Sequence, residues 1–307
     1  MPVWNHCRCR NRVERCRSGG TNDRGRNSHC VPNALLDVSI VMLNHFHGII
    51  VLTDNGMGQS CISPSLLIQP VHRGEIAMSD RKNAPKVNPH RCLFTSEPIK
   101  IDGLLDEPAW QKAKPLNFIV PVTFEKTLSD TEARLLWDRE YLYVGFKAYD
   151  RDIWSYYTQR DEPTCQEDVL EIFFKTDPTK EAYYNFEINA LGTVYDAYNV
   201  RRQSAGGDHR WSKWNCEGLK VGVHIEGTLN NPEDEDEYWQ LEVAIPFSEL
   251  PSLKGKIPEP GDEWLFHLAR YDYSVYLPEG VELSSCAPLS EVNFHRYEDW
   301  LTLRFEK

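Results

Sequence analysis

From residue 98 onward the chain is divided into short runs rich in Val, Ile, Leu, Phe, Tyr and Trp, punctuated by clusters of Asp, Gly, Pro and Asn. That is the pattern of strands joined by turns. Candidate strands cover 134–137, 141–149, 169–175, 183–190, 193–199, 219–226, 237–246, 263–271 and 300–305. No comparable series of helical patterns alternates with them, so the chain predicts an all-β, two-sheet antiparallel β-sandwich rather than a doubly wound fold. In Trp239-Gln240-Leu241-Glu242-Val243-Ala244-Ile245 and in Leu142-Tyr143-Val144-Gly145-Phe146 the large apolar residues take alternate places, which predicts one packed face and one turned to water or ligand. Val169-Leu170-Glu171-Ile172-Phe173-Phe174 is nearly continuous. It reads as a central strand whose one carboxylate, Glu171, needs a partner or a ligand.

Charge divides the chain. Of the net −12, residues 1–90 carry about +5 and residues 91–307 about −17. A surface that acidic cannot displace counterions from phosphates, which argues against nucleic acid as the sandwich's partner and favours neutral ligands or cations. The most apolar stretch, 38–52, is broken by Asn44, His45 and His47, so no membrane span is expected. Nor does a secretory leader pattern stand at the N-terminus. The expectation is a soluble protein whose compartment the residues themselves do not set. Five of the nine cysteines (Cys7, Cys9, Cys16, Cys30, Cys61) fall in the first ninety residues, while Cys92, Cys165, Cys216 and Cys286 are scattered. An odd total without repeated spacing gives neither a disulfide framework nor a paired-knuckle zinc site.

Residues 1–33 are dense in Arg, Asn, Gly, Ser and Cys without periodic apolar pattern, a composition that predicts disorder. Two strands follow over 35–52, and the Gly and Pro of 53–90 read as a linker, so the expected division is an irregular segment, 1–90, and a sandwich, 91–307. Met42-Leu43-Asn44-His45-Phe46-His47-Gly48-Ile49-Ile50-Val51-Leu52 resembles the metal-binding strand of IS200-type, repeat-associated tyrosine transposases. The resemblance implies His45 and His47 as metal ligands. Such an enzyme needs a tyrosine nucleophile, and the first tyrosine of this chain is Tyr141, so the segment is expected to be a truncated, inactive relic.

Ile99 and Ile101 predict a short strand, Asp102-Gly103 a turn, and Asp106 the cap of a helical turn that buries Trp110 and Ala113. This strand-Asp-Gly-x-x-Asp-Glu-x-x-Trp opening is similar to that of family 9 carbohydrate-binding modules. The similarity continues in register through Leu136-Trp137-Asp138, Glu167-Asp168-Val169-Leu170-Glu171, Phe186-Glu187-Ile188-Asn189, Glu242-Val243-Ala244-Ile245-Pro246, Pro260-Gly261-Asp262-Glu263-Trp264 and Asn293-Phe294-His295.

The resemblance implies non-catalytic carbohydrate binding in support of polysaccharide breakdown, structural calcium, and a periplasmic or extracellular setting. It also implies a sugar held between two aromatic walls by polar groups. The walls fall at Cys165 and Phe294, a family arginine falls at Glu187, and Glu171 and Asn189 keep their types. His295 adjoins the second wall, and Trp154 and Trp211, with Tyr156, Tyr157 and Trp214, stand where they could substitute. Two alternatives remain open. Glu171 and Glu187 could form a hydrolytic pair, or the sandwich could bind a protein or haem, although methionine is absent from 91–307 and His209, His224, His267 and His295 lack diagnostic spacing. The acidic run Glu233-Asp234-Glu235-Asp236-Glu237 reads as a solvated loop.

Overall fold

The computed structural model describes residues 88–202 and 214–307 in full, together with the backbone of two N-terminal strands. The chain forms two compact units, Met1–Ser65 and Leu66–Lys307. In the first, β1 (Ala34–Met42) and β2 (His45–Leu52) pair antiparallel, with His45 opposite Met42 and His47 opposite Ile40. The side chains of His45 and His47 lie outside the described residues, as do residues 1–33 and most of the expected linker.

The second unit is built from β3 (His90–Phe94), β4 (Leu116–Asn117), β5 (Thr131–Trp137), β6 (Tyr141–Tyr149), β7 (Val169–Lys175), β8 (Tyr183–Asn189), β9 (Val194–Asn199), β10 (Lys220–Glu226), β11 (Tyr238–Pro246), β12 (Glu263–Tyr273), β13 (Val281–Ser285) and β14 (Leu301–Glu306), with one short helix, α1 (Pro108–Lys112). The strands run in the order β10-β11-β6-β5-β3-β14-β12-β7-β8-β9, with β4 added beside β5 and β13 beside β12. All pairs are antiparallel except β14 with β3 and β3 with β5. The sheet curls so that its two halves face each other. Leu135, Val144 and Leu241 from one half share a core with Leu170, Phe186 and Leu268 from the other. The all-β sandwich expected from the sequence is the fold.

Arg270 of β12 spans the core. Its guanidinium donates to Thr131 Oγ1 (3.1 Å), to the Tyr149 carbonyl (2.8 Å) and to Asp150 Oδ2 (2.8 Å). A guanidinium with no solvent exposure is tolerated only because carboxylates and carbonyls replace the water it gave up.

The expectation of one open face on β6 and β11 is overturned: both faces of these strands are buried. The cover is the segment 99–113. It contains no strand at Ile99 and Ile101, and α1 is preceded at its N-cap by Glu107, without a side-chain cap, rather than by Asp106. The segment is held instead by tertiary contacts. Arg134, Gly145, Glu242 and Gly222 are cross-strand partners in one row over β5, β6, β11 and β10. The two glycines leave a trough on either side of Glu242. A Cβ on Gly222 would come within 2.5 Å of the Gly103 nitrogen, and one on Gly145 within 3.2 Å of the Trp110 ring. Glu242 accepts from the backbone N–H of Asp102 (2.9 Å) and Gly103 (2.9 Å) and from Trp110 Nε1 (2.9 Å). Arg134 donates to the carbonyls of Trp110 (3.0 Å) and Ala113 (3.3 Å) at the end of α1, where four carbonyls lack helical partners. Trp110 and Ala113 pack with Leu136, Tyr143 and Ala244, as the sequence predicts.

Loss of this cover should be measurable by urea unfolding. Trp110→Ala is expected to cost about 3–5 kcal/mol. Glu242→Gln keeps the volume but turns an NH2 toward N–H donors, and should cost about 1–3 kcal/mol.

Candidate ligand-binding site

Tyr195 of β9, Glu187 of β8, Glu171 of β7 and Ala269 of β12 are successive cross-strand partners in one row. Alternation turns this row away from Leu170, Ile172 and Phe174, which enter the core. Two segments cover it. The first is the 3-10 turn Thr164–Gln166, where Thr164 Oγ1 donates to Glu187 Oε2 (3.4 Å) and Tyr273 OH donates to the Cys165 carbonyl (3.0 Å). The second is residues 293–300. There His295 Nδ1 pairs with Tyr183 OH (2.8 Å), and the Phe294 ring meets Tyr271 edge-on at 5.3 Å and His267 at 5.5 Å. Under these covers Glu171 keeps 3% of its surface and Glu187 keeps 8%.

Acceptors outnumber donors around the row. Asn185 Nδ2 donates to Glu187 Oε1 (2.9 Å), and the buried Asn185 Oδ1 has no donor of its own. Burial pushes Glu187 up to about 7 against the donations of Asn185 and Thr164. Burial, and then the Glu187 carboxyl, push Glu171 well above the usual carboxylate range. The same two carboxyls add to burial in raising the Cys165 thiol and the Tyr271 hydroxyl. His295 is pushed down to about 4 by burial and by Arg202, so it is neutral at pH 7.

Cys165, Glu171, Glu187, Phe294 and His295, far apart in the sequence, therefore meet on one face. Asn189 is on the same strand face as Glu187, but its hydrogen-bonding capacity is committed to the protein. Its Nδ2 donates to Glu167 Oε1 (2.5 Å) and the Tyr157 carbonyl (2.9 Å), and its Oδ1 accepts from the N–H of Leu191 (3.0 Å) and Thr193 (2.8 Å). Glu167 in turn accepts from the N–H of Tyr156 (2.6 Å). The Glu167-Asp168 and Asn189 landmarks thus anchor the loop 154–157. Trp154 is half-buried, with its N–H on Asp168 Oδ2 (2.6 Å) and its ring tilted against Tyr156 at 5.9 Å.

Trp214, expected as a ligand substitute, packs instead against Tyr184, Phe186 and Tyr198 on the core side of β8 and β9. Trp211 lies outside the described residues. Asp236 also departs from the solvated loop expected for its acidic run: it is buried and accepts from the N–H of Ile153 (2.8 Å) and Thr228 (2.6 Å). Sequence reasoning missed Thr164, Asn185, Tyr195 and Tyr271. Period two counted from Glu187 finds Asn185, but only the strand register finds Tyr195 and Tyr271.

At the ends of β6, β7 and β12 stand Asp150, Asp168 and Asp272, all buried, each with an oxygen within 4.8 Å of the others. Arg270 pairs with Asp150 (2.8 Å) and Asp272 (3.2 Å), which leaves a surplus of negative charge, and Asp272 Oδ2 has no hydrogen-bond donor. Burial pushes Asp150 up to about 7 although Arg270 pulls it down. Burial and the two neighbouring aspartates raise Asp168. Clustered carboxylate oxygens are the donor set calcium takes, so these residues fit the ion that the resemblance implies.

The β7–β8–β12 face of the sandwich thus carries aromatic and polar side chains under two covering segments. Residues 101–274 match the profile of the carbohydrate family 9 binding domain-like family, and the chain belongs to that family. Among solved structures, a protein from Bacteroides uniformis ATCC 8492 assigned to carbohydrate binding shares the fold at a TM-score of 0.51 and 15% identity, over 71% of this chain and 97% of that one. Family 9 modules from Caldicellulosiruptor kristjanssonii are also similar. The complex with cellotriose gives a TM-score of 0.47 at 14% identity over 70% and 93% of the two chains, and the complex with glucose gives 0.46 at 16% over 70% and 95%. No curated protein matches the sequence.

The buried pair has a consequence for stability. Both carboxyls titrate above their unfolded values of about 4.3, so the folded state holds protons that the unfolded state releases. Their contribution is fully present below about pH 4 and is lost as pH rises, for Glu187 through about 7. The urea midpoint should therefore fall between about pH 5 and pH 8, and Glu187→Gln should flatten that dependence.

Proposed function

We propose that residues 91–307 form a non-catalytic carbohydrate-binding domain that supports polysaccharide breakdown by holding sugar against the β7–β8–β12 face. The supporting observation is the convergence of Glu171, Glu187, Phe294 and His295 with Tyr271 on one covered face, in a chain of this family. Aromatic rings take the C–H face of a pyranose, and the carboxyls and Asn185 take its hydroxyls. Tyr271 assumes the role that the smaller Phe294 and the missing ring at Cys165 leave open. Glu171 and Glu187 are direct neighbours on adjacent strands, so both lie on the same side of any bound ring. Hydrolysis needs carboxyls that flank the scissile bond, which favours binding over catalysis. In the N-terminal unit, the alternate placement of His45 and His47 on β2 supports reading the hairpin as a relic of a transposase metal strand.

Calcium would be held by Asp150, Asp168 and Asp272, where its charge would neutralise carboxylates that anchor the loops beside the face. Its role there is structural.

Titration of the full chain with cello-oligosaccharides by calorimetry should show binding, and Tyr271→Ala should weaken it at least tenfold without lowering the melting temperature by more than a few degrees. Absence of binding to any sugar on a glycan array would refute the carbohydrate reading. Calcium should raise the melting temperature, by an amount corresponding to about 2.7 kcal/mol at a hundredfold excess over its Kd. A chelator should reverse the rise, and Asp272→Asn should abolish it.

A further inference from the structure

The row that carries the sugar reading has a charge arrangement of its own. Glu171 and Glu187 are paired directly across β7 and β8, where like charges destabilise a sheet. Among the described residues no Lys, Arg or His forms an ion pair with either carboxyl, and the largest influence on each apart from burial is the other carboxyl, or the neutral donors Asn185 and Thr164. No hydrogen bond of the Glu171 carboxyl occurs among the described residues, although the side chain is 97% removed from solvent. Asn185 Oδ1, also buried, lacks a donor because the Asn185 NH2 is turned to Glu187. The remaining groups facing the pair are the Cys165 thiol and the Tyr271, Tyr273 and Tyr195 phenols, with the neutral His295 beyond Phe173. Among the described residues none of these brings a positive charge.

We propose that this subsite takes a cationic sugar, a hexosamine with a free ammonium group, whose nitrogen sits between Glu171 and Glu187. The inference rests on the carbohydrate reading and names the class of sugar. An ammonium supplies three donors and no acceptor, which answers the two carboxyls and the orphaned Asn185 oxygen. Its charge removes the repulsion between the pair, and the Tyr271 ring adds an aromatic face of the kind that attracts cations. A neutral hexose supplies hydroxyls but no charge to replace the proton that the pair retains. Calcium is a poorer answer, because it needs six to eight oxygens and the row offers few beyond the pair. In the absence of ligand the pair lowers its own repulsion by retaining a proton. The arriving ammonium displaces that proton to solvent, so binding is coupled to proton release.

The test uses the full chain and methyl glycosides of glucosamine, N-acetylglucosamine and glucose, with cellotriose as the neutral reference, by calorimetry near pH 7 in two buffers of different ionisation enthalpy. The glucosaminide is expected to bind at least tenfold more tightly than the glucoside and the N-acetyl analogue, and to release a fraction of a proton that the glucoside does not. In Glu187→Gln, checked for folding by its thermal melt, that preference should shrink to within about threefold. Equal affinity for the charged and neutral glycosides, or a preference that survives in Glu187→Gln, overturns the inference while leaving the carbohydrate reading intact if cellotriose binds. Calcium binding that Glu187→Gln abolishes, in place of a glucosaminide preference, also overturns it. Failure of every sugar, cellotriose included, overturns both. The proton-release measurement needs no variant and decides the matter even if Glu187→Gln does not fold.

Discussion

Glu242 has lost its water entirely, yet two backbone N–H groups and an indole N–H converge on its carboxylate. The segment 99–113 forms no strand and only one short helix, so that convergence, with the packing of Trp110 and the Arg134 hydrogen bonds, holds it across the sheet. The bond network fixes Asp102, Gly103 and Trp110 over the trough between Gly145 and Gly222, and the indole then completes a second, smaller core. A buried carboxylate is costly when isolated and firm when donors are preplaced around it. The same device recurs where Glu167, Asp168 and Asp236 collect N–H groups from the loops beside the β7–β8–β12 face. The sandwich is a stack of strands whose irregular connections are pinned by acids.

Against that background Glu171 and Glu187 are exceptional. Nothing in the described residues brings Glu171 a donor, and Glu187 has only the neutral Asn185 and a long contact from Thr164. Glu242, Glu167 and Asp236 are met by donors from the chain, whereas Glu171 receives none among the described residues and Glu187 receives only neutral ones. Perturbed carboxyls in a covered cleft are a mark of functional sites, and here the surplus is entirely of acceptors.

Most of the strands were legible because alternation and turn residues are local signals. β6 and β7 match the expected bounds, and the others differ by a few residues at their ends. β3, β4 and β13 were not foreseen: all three are short, and β3 becomes a strand only through neighbours distant in sequence. The expected strand at Ile99 and Ile101 does not form because the segment lies across the face of the sheet, held by Glu242 and the smaller core, and not alongside a strand. Of the residues expected at the site, Cys165, Glu171, Glu187, Phe294 and His295 share one face. Asn189 reads as a ligand contact until its four hydrogen bonds are seen, and Trp214 reads as a loop aromatic until its ring is found among Tyr184, Phe186 and Tyr198. Asp150 and Asp272 are too far apart in the chain for any motif to join them.

The parallel pairing of β3 with β14 couples the first and last strands of the sandwich as immediate neighbours. The chain enters this pair beside Leu303 and leaves it past Leu93, so tension drawn through the two flanking peptides pulls the neighbours past each other along their length. In that geometry every bond of the ladder shares the load at once, whereas a hairpin pulled from its open end gives way one rung at a time.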